Sequence, residues 1–261
     1  MNIMGRHKGI GQRSESIRIF AFGDVGAGKS TFLACLIQHF LKNERCLFVF
    51  DHDEKPSKNL MMLWLDRLKE FRFPPISQPG HIFNIKIGLI DSEEEFKVQF
   101  SLYEMSGEDL KKIATRHGGD LEREFQEALE NSNVILALVP RPELTDQEML
   151  LGEFFNFLYN QRVKKPVAII VTKWDLTDDG VTNDTSKFNS QDEYQLERLT
   201  KENLNWPIKF LEVQGIFEDP AVFYFTVGSV DKSTITAYKP RGLEEIAEWI
   251  IQNSIEQKSS Q

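Results

Sequence analysis

Short apolar segments alternate along the chain with segments whose apolar residues have helical spacing. Two apolar segments, Val134–Val139 and Val167–Val171, are unbroken runs, which is typical of strands that helices cover on both faces. Apolar residues three and four positions apart indicate instead the buried face of a helix. The predicted strands are Ile17–Phe22, Cys46–Phe50, Val134–Val139, Val167–Val171 and Val222–Val227, and the predicted helices are Ser30–Leu41, Leu60–Phe71, Asp146–Arg162 and Leu243–Ile251.

A second pattern, strict alternation of apolar and polar residues, occurs twice in the first half of the chain. It covers Phe83–Leu89 and then Phe96–Leu102, and the polar segment Asp91–Glu95 joins the two. Two alternating stretches around a polar turn predict an antiparallel hairpin. Because one face of each strand is polar, we expect this hairpin near an edge of the sheet.

These elements predict an α/β fold, a doubly wound and mostly parallel sheet with one antiparallel edge hairpin. A single domain over residues 17–252 accounts for them. Its excess length is assigned to insertions near 43–80 and 178–205, and the polar, irregular sequence of the second is interpreted as an insertion or mobile loop. Residues 1–16 and 253–261 are expected to be flexible tails.

The composition narrows the class of protein. The chain has 261 residues, of which 41% are apolar, and a net charge of −9. It is therefore too apolar to be disordered, and it lacks the basic balance of a nucleic-acid-binding protein, so no nucleic-acid partner is expected. Its two cysteines, Cys35 and Cys46, suit a reducing compartment. No apolar run approaches the ~18 residues of a membrane span, and the predicted location is the cytoplasm.

The strongest chemical signal is the segment Gly23-Asp24-Val25-Gly26-Ala27-Gly28-Lys29-Ser30, which lies between a predicted strand and a predicted helix. It matches the phosphate-binding pattern G-x-x-x-x-G-K-[ST]. The glycines let backbone N–H groups turn toward the α- and β-phosphates of a nucleotide, and the helix that carries Thr31 points its positive N-terminus at them. Lys29 is placed to reach the β- and γ-phosphates, and the Ser30 hydroxyl to bind Mg²⁺. This motif alone does not separate ATP from GTP.

Two further segments follow the phosphate-binding pattern along the chain. Glu104-Met105-Ser106-Gly107-Glu108 ends the predicted hairpin, and Thr172-Lys173-Trp174-Asp175 follows a buried strand. In this order the three segments resemble the P-loop, D-x-x-G and [NT]-K-x-D motifs of the Ras-like P-loop GTPases, and the resemblance covers about residues 17–252. The resemblance implies that Asp175 accepts hydrogen bonds from guanine N1–H and N2–H₂ while Lys173 packs along the base. Adenine lacks this donor pair, which favours GTP and GDP. Thr172 replaces the commoner Asn, and its lost amide predicts weaker support for the loop.

The resemblance also assigns the metal and hydrolysis positions, where the chain departs from the family pattern. Glu104 replaces the Asp that holds Mg²⁺ through a water, and Gly107 would offer its N–H to the γ-phosphate. Glu108 stands where many members have a Gln that orients the attacking water, and it is either a proton acceptor for that water or a solvated acid. Val25 replaces the Gly of the archetypal members and crowds the space near the water. These departures predict slow hydrolysis.

At two other places the resemblance leaves alternatives open. No Thr lies between Thr31 and Thr115, so Ser77 is the candidate for the Mg²⁺ ligand of the first switch loop, unless it is a turn residue of a Pro-rich loop. Gly228 and Ser229 occupy the place of the loop that closes the base pocket in the family. Their N–H groups either reach guanine O6 or belong to a plain strand-end turn.

The expected function is a GTP/GDP- and Mg²⁺-dependent molecular switch that hydrolyses GTP slowly and signals to a protein effector. The alternative is a nucleotide-binding scaffold or assembly subunit with little or no hydrolysis. Lys173 and Asp175 speak against an ATPase of another P-loop branch. The layout from the P-loop to the hairpin also resembles divergent prokaryotic GTPases of multi-gene conflict systems, and the T-K-x-D variant resembles that of dynein light intermediate chains. The motifs specify neither the partner nor the oligomeric state.

Overall fold

An eight-stranded sheet organises the part of the chain that the computed structural model describes, namely residues 17–42, 46–49, 55–75, 83–91, 97–104, 120–141, 144–174, 190–213, 221–231 and 234–259. The order of the strands across the sheet is β2-β3-β4-β1-β5-β6-β7-β8. Their bounds are β1 (Arg18–Phe22), β2 (Cys46–Val49), β3 (Phe83–Asp91), β4 (Lys97–Glu104), β5 (Val134–Pro140), β6 (Val167–Thr172), β7 (Ala221–Asp231) and β8 (Thr234–Arg241).

Helices cover both faces of this sheet and create two apolar cores. One core contains side chains of α1 (Lys29–Lys42), α2 (Lys55–Lys69) and α7 (Leu243–Ser259). The other contains side chains of α3 (Asp120–Asn131), α4 (Leu144–Asn160) and α6 (Asn205–Val213), and α5 (Ser190–Asn203) precedes α6. Alternate residues of β5 belong to opposite cores, for example Leu136 to the first and Ala137 to the second. The predicted burial of this strand on both faces is therefore confirmed. No helix within the described ranges is long and apolar enough to cross a membrane.

The parallel part of the sheet consists of β4, β1, β5, β6 and β7, each parallel to its neighbour in that order. The predicted hairpin is also present, since β3 pairs antiparallel with β4. The hairpin lies near an edge of the sheet, as predicted, but it does not form the edge, because β2 pairs antiparallel with β3 and is the edge strand. The apolar pattern of residues 46–49 predicts a strand but does not say which neighbour it pairs with, since that is decided by a contact between segments far apart in the chain.

Four elements in the described part of the chain were not predicted from the sequence. The first is β8, an antiparallel partner of β7 in which Ile235 is the buried residue, so it has no apolar run to reveal it. The others are α3, α5 and α6. Helix α5 lies within residues 178–205, so residues 190–203 are helical rather than a mobile loop, and the assignment of an insertion to this segment stays a prediction. Helix α7 extends to Ser259, beyond residue 253, where the tail was expected to begin.

Candidate nucleotide-binding site

The predicted phosphate loop connects the end of β1 to the start of α1, where the sequence placed it. Gly26 and Gly28 have φ angles of +80° and +83°, which glycine adopts without the strain that a side chain would add. Asp24 accepts two hydrogen bonds from backbone N–H groups of the loop. Its carboxylate accepts a hydrogen bond from the Val25 N–H at 2.7 Å, and its carbonyl accepts one from the Ala27 N–H at 3.2 Å. The loop is therefore a tight, internally bonded turn at the carboxyl end of a central strand.

Helix α1 begins directly at this loop, since Phe32 N–H donates to the Gly28 carbonyl at 2.8 Å. The amides of Lys29, Ser30 and Thr31 consequently lie in the first helical turn, where N–H groups point out of the helix end. No acidic residue occupies this first turn. The helix dipole and these amides together favour an anion in front of the loop.

Lys29 extends across the loop that precedes it. Its ammonium donates hydrogen bonds to the carbonyls of Gly23, at 2.9 Å, and Asp24, at 2.8 Å. The residue is only 5% exposed, and Ser30 beside it is 9% exposed. A buried ammonium, a buried hydroxyl and a helix N-terminus are thus gathered at one place, and this set of groups fits a phosphate.

Thr172 connects the phosphate loop to the second predicted motif. It is the last residue of β6 and is buried, and its Oγ1 donates a hydrogen bond to the Ala27 carbonyl at 2.7 Å. A Cβ added to Gly28 would lie 3.8 Å from the same Oγ1. The hydroxyl that Thr172 retains therefore reaches the phosphate loop, although 145 positions of sequence separate it from Ala27.

The next two residues shape the loop that leads to Asp175. Lys173 has a φ angle of +53°, in the left-handed region that L-residues rarely adopt. Trp174 is only 6% exposed and belongs to the core beneath α4. Its carbonyl accepts a hydrogen bond from Arg141 Nη1 at 3.3 Å. Asp175 itself lies outside the described residues.

Among the residues that the structure describes at this site, Arg141 is one that the sequence analysis missed. It follows β5, whose last residue, Pro140, is paired with Thr172 in the sheet. The available signal was its position, because side chains at the carboxyl ends of parallel strands meet at one edge of the sheet. An arginine directly after a buried strand was therefore a candidate for this edge.

The remaining predicted positions are only partly described. Glu104 is the last residue of β4, and its backbone is paired with Ala21 of β1. Because Ala21 precedes Gly23, the first glycine of the phosphate loop, by two positions, the backbone of Glu104 lies near the start of that loop. Val25 is 43% exposed at the tip of that loop. Ser77, Gly107 and Glu108 lie outside the described residues, and their roles stay predictions.

Gly228 and Ser229 lie inside a strand rather than in a loop. They belong to β7, which continues to Asp231 and pairs with β8 there. A Cβ on Gly228 would lie 2.2 Å from the Ala237 carbonyl oxygen, so close approach of the two strands requires glycine. Its N–H donates to Thr226 Oγ1 at 3.2 Å. The contact with guanine O6 stays a prediction, and strand packing accounts for Gly228 without it.

Comparisons with known proteins add one structural likeness. No protein-family model and no curated protein matches the chain. Among solved structures, a Methanosarcina barkeri Roco2 RocCORdC protein bound to GDP is similar at 12% identity and a TM-score of 0.42, over 92% of this chain and 49% of that chain. The chain thus spans about half the length of that structure's chain. The sheet order described above, with a phosphate loop between β1 and α1, is consistent with a P-loop GTPase-like fold.

Proposed function

We propose that this chain binds guanine nucleotides together with Mg²⁺ and acts as a molecular switch that hydrolyses GTP slowly and signals to a protein partner. The observation that carries the proposal is the hydrogen bond from Thr172 Oγ1 to the Ala27 carbonyl. The ribose links the phosphates and the base of a nucleotide within a limited range of distances, so a site for both requires the phosphate loop and the segment proposed to recognise the base to be held near each other. This hydrogen bond joins the loop to the end of β6, where the T-K-W-D segment starts.

At the phosphate end, the described residues suit a triphosphate. Lys29 donates to two carbonyls that carry no net charge, and a phosphate oxygen would add the attraction between opposite charges. Mg²⁺ keeps most of its ligands as water and phosphate oxygens, and when bound it neutralises phosphate charge. Ser30 would hold the ion, with Glu104 and Ser77 as the other predicted ligands.

At the base end, specificity for guanine rests on Asp175. A carboxylate at that position has two donors to bind in guanine and none in adenine. Leaving it unpaired against adenine would be unfavourable by about 1–3 kcal/mol or more. Lys173 would pack its apolar stem along the base.

Slow hydrolysis is proposed because the groups that would position water are altered. Val25 projects a branched side chain at the loop tip, and Glu108 replaces a neutral amide with a carboxylate that a nearby γ-phosphate repels. We expect unassisted turnover near the ~10⁻⁴ per second of small GTPases. The alternative function, a scaffold or assembly subunit with little or no hydrolysis, rests on the same departures.

The first experiment identifies the nucleotide. The purified chain is denatured, released nucleotides are identified by chromatography, and affinities for GDP and ADP are then measured by calorimetry with Mg²⁺. We expect strong preference for GDP, loss of all binding in Lys29→Ala, and loss of the preference in Asp175→Ala. Exposed residues of α2 supply matched controls, Lys69→Ala and Asp66→Ala, which should bind normally. Equal affinity of the wild type for GDP and ADP would overturn the guanine assignment.

A second experiment separates a switch from a scaffold. Hydrogen exchange is compared between the chain with GDP and the chain with a non-hydrolysable GTP analogue, and single-turnover hydrolysis is measured in parallel. A switch requires different exchange in the two states. Identical exchange together with no hydrolysis over a day would favour the scaffold.

A further inference from the structure

Arg141 lies where two neighbouring parallel strands end. Pro140 of β5 is paired with Thr172 of β6, so Arg141 and Lys173 are the first residues beyond that pair. From there the Arg141 guanidinium reaches forward to the Trp174 carbonyl, with 3.3 Å between Nη1 and the oxygen. The contact joins the loop after β5 to the loop that leads to Asp175.

The carbonyl that Arg141 holds belongs to the peptide group between Trp174 and Asp175. A peptide group is planar, so fixing its carbonyl oxygen also fixes the direction in which the next residue starts. The two preceding residues are fixed as well, because Thr172 is bonded to the phosphate loop and the Trp174 side chain is buried in the core. The guanidinium therefore completes the set of contacts that hold the backbone as far as Trp174, the residue before Asp175.

This loop needs such support because its backbone is not relaxed. Lys173 adopts the left-handed region, which for a residue with a side chain is unfavourable by about 1–2 kcal/mol. A loop in that conformation persists only when its surroundings hold it. Arginine suits this task, because its rigid, planar group of donors keeps a fixed direction better than the flexible ammonium of lysine.

We propose that Arg141 is a positioning residue for base recognition: by holding the Trp174 carbonyl, it aligns Asp175 and thereby sets the preference for guanine over other purines. This inference rests on the proposed function, since it concerns the same site. It assigns to Arg141 a role that acts through Asp175 and involves no contact with the nucleotide.

The test compares nucleotides that differ only in the base. Inosine lacks the 2-amino group of guanine, so IDP offers Asp175 one donor where GDP offers two, and ADP offers neither. If Arg141 aligns Asp175, Arg141→Gln should weaken GDP binding about tenfold, equivalent to about 1.4 kcal/mol, and IDP binding much less. Binding of ADP should not change. Arg141→Lys keeps the positive charge but not the fixed geometry, and it should fall between wild type and Arg141→Gln.

Three controls separate this role from its alternatives. Arg123→Gln, an exposed arginine on α3, should leave all affinities unchanged. Urea unfolding with and without nucleotide shows whether Arg141→Gln is folded, and Arg141→Lys supplies the same comparison if it is not. In the double variant Arg141→Gln/Asp175→Ala, the effect of the arginine should vanish, because it acts only through Asp175.

The outcomes distinguish this inference from the proposed function. If the wild type prefers neither GDP nor IDP over ADP, the proposed function is wrong, and the inference about Arg141, which rests on it, is wrong as well. If the wild type prefers GDP but Arg141→Gln keeps the same GDP-to-IDP ratio, only the inference is overturned. Equal weakening of GDP, IDP and ADP, persisting without Asp175, would show direct contact with the phosphates and would also overturn it.

Discussion

Replacing Thr172 by valine removes one hydroxyl from the point where the predicted phosphate loop meets the end of β6. Valine has nearly the same shape as threonine, so the substitution leaves no cavity. The hydroxyl donates to the carbonyl of Ala27, a residue with no exposed surface, at 2.7 Å. In Thr172→Val that carbonyl loses its side-chain donor, and water does not reach it.

The expected size of the effect follows from this burial. A buried acceptor left without a partner is unfavourable by about 1–3 kcal/mol. A second contact of the hydroxyl, to the Val139 carbonyl at 3.5 Å, is at the limit of a hydrogen bond and adds little. With a urea m-value of about 3 kcal/mol/M for a chain of this size, the urea midpoint should fall by roughly 0.3–1 M.

The assay is urea unfolding of Thr172→Val beside two comparison variants. Thr172→Ser keeps the hydroxyl and should recover part of the loss, whereas Thr236→Val makes the same change at an exposed position of β8 and should be near neutral. We also expect GDP affinity to fall in Thr172→Val, because the phosphate loop loses its tie to β6. A urea midpoint for Thr172→Val equal to that of Thr236→Val would refute the reasoning.

Three other regions supply further predictions. Lys165 donates hydrogen bonds to the carbonyls of Leu129, Glu130 and Ser132 at the end of α3. Lys165→Met removes these bonds and should lower the free energy of unfolding by about 1–3 kcal/mol. The control is Lys69→Met, which makes the same change at an exposed position. Burial lowers the pKa of Lys165 from 10.5 to about 8. Between these pH values the unfolded chain keeps a proton that the folded chain has released, so the stability of the wild type relative to Lys165→Met should rise with pH, and a fall would contradict this. Burial raises the pKa of the Cys35 thiol to about 12. In a Cys46→Ser background, a thiol reagent near pH 8 should therefore label Cys35 only after the chain unfolds. Rapid labelling of the native chain would contradict this prediction. A Cβ on Gly152 would lie 1.7 Å from the ring of Trp206, which is 51% exposed, so this ring has to move away to make room for it. Gly152→Ala should therefore shift the fluorescence emission of Trp206 to the red, which is measured as the difference from the spectrum of Trp206→Phe. The free energy of unfolding should change little, because alanine gains up to about 1 kcal/mol of helix propensity over glycine. Unchanged emission would count against this packing.

The parts of the fold that the sequence predicted well are those with a strong local pattern. The runs Val134–Val139 and Val167–Val171 became β5 and β6, and the alternating segments became β3 and β4. Helices with a wide apolar face, such as α1, were also predicted within a few residues. Strand β8 and helix α5 were not predicted because their sequences are largely polar. They form where neighbouring strands or helices supply the apolar surface.

At the candidate site, the loop with the phosphate-binding pattern was predictable because the residues of that pattern are consecutive in the sequence. Gly228 was harder to interpret, since one glycine is compatible with a base-contacting loop and with two strands that approach closely. The position of the Ala237 carbonyl favours the second explanation for this residue. Arg141 was missed altogether, because no short motif includes it.

The sequence by itself predicted the strand, loop and helix that carry the phosphate-binding pattern, the position of the T-K-W-D segment after a buried strand, and the alternation of strands and helices, since each depends on residues close together in the chain. Only the tertiary structure decided that β2 lies outside the hairpin, that Thr172 bonds to Ala27 and that Arg141 holds the carbonyl before Asp175. These contacts join residues 33 to 145 positions apart. The pairing of strands in a sheet brings such residues together, and no local pattern of apolar and polar positions encodes which strands become neighbours.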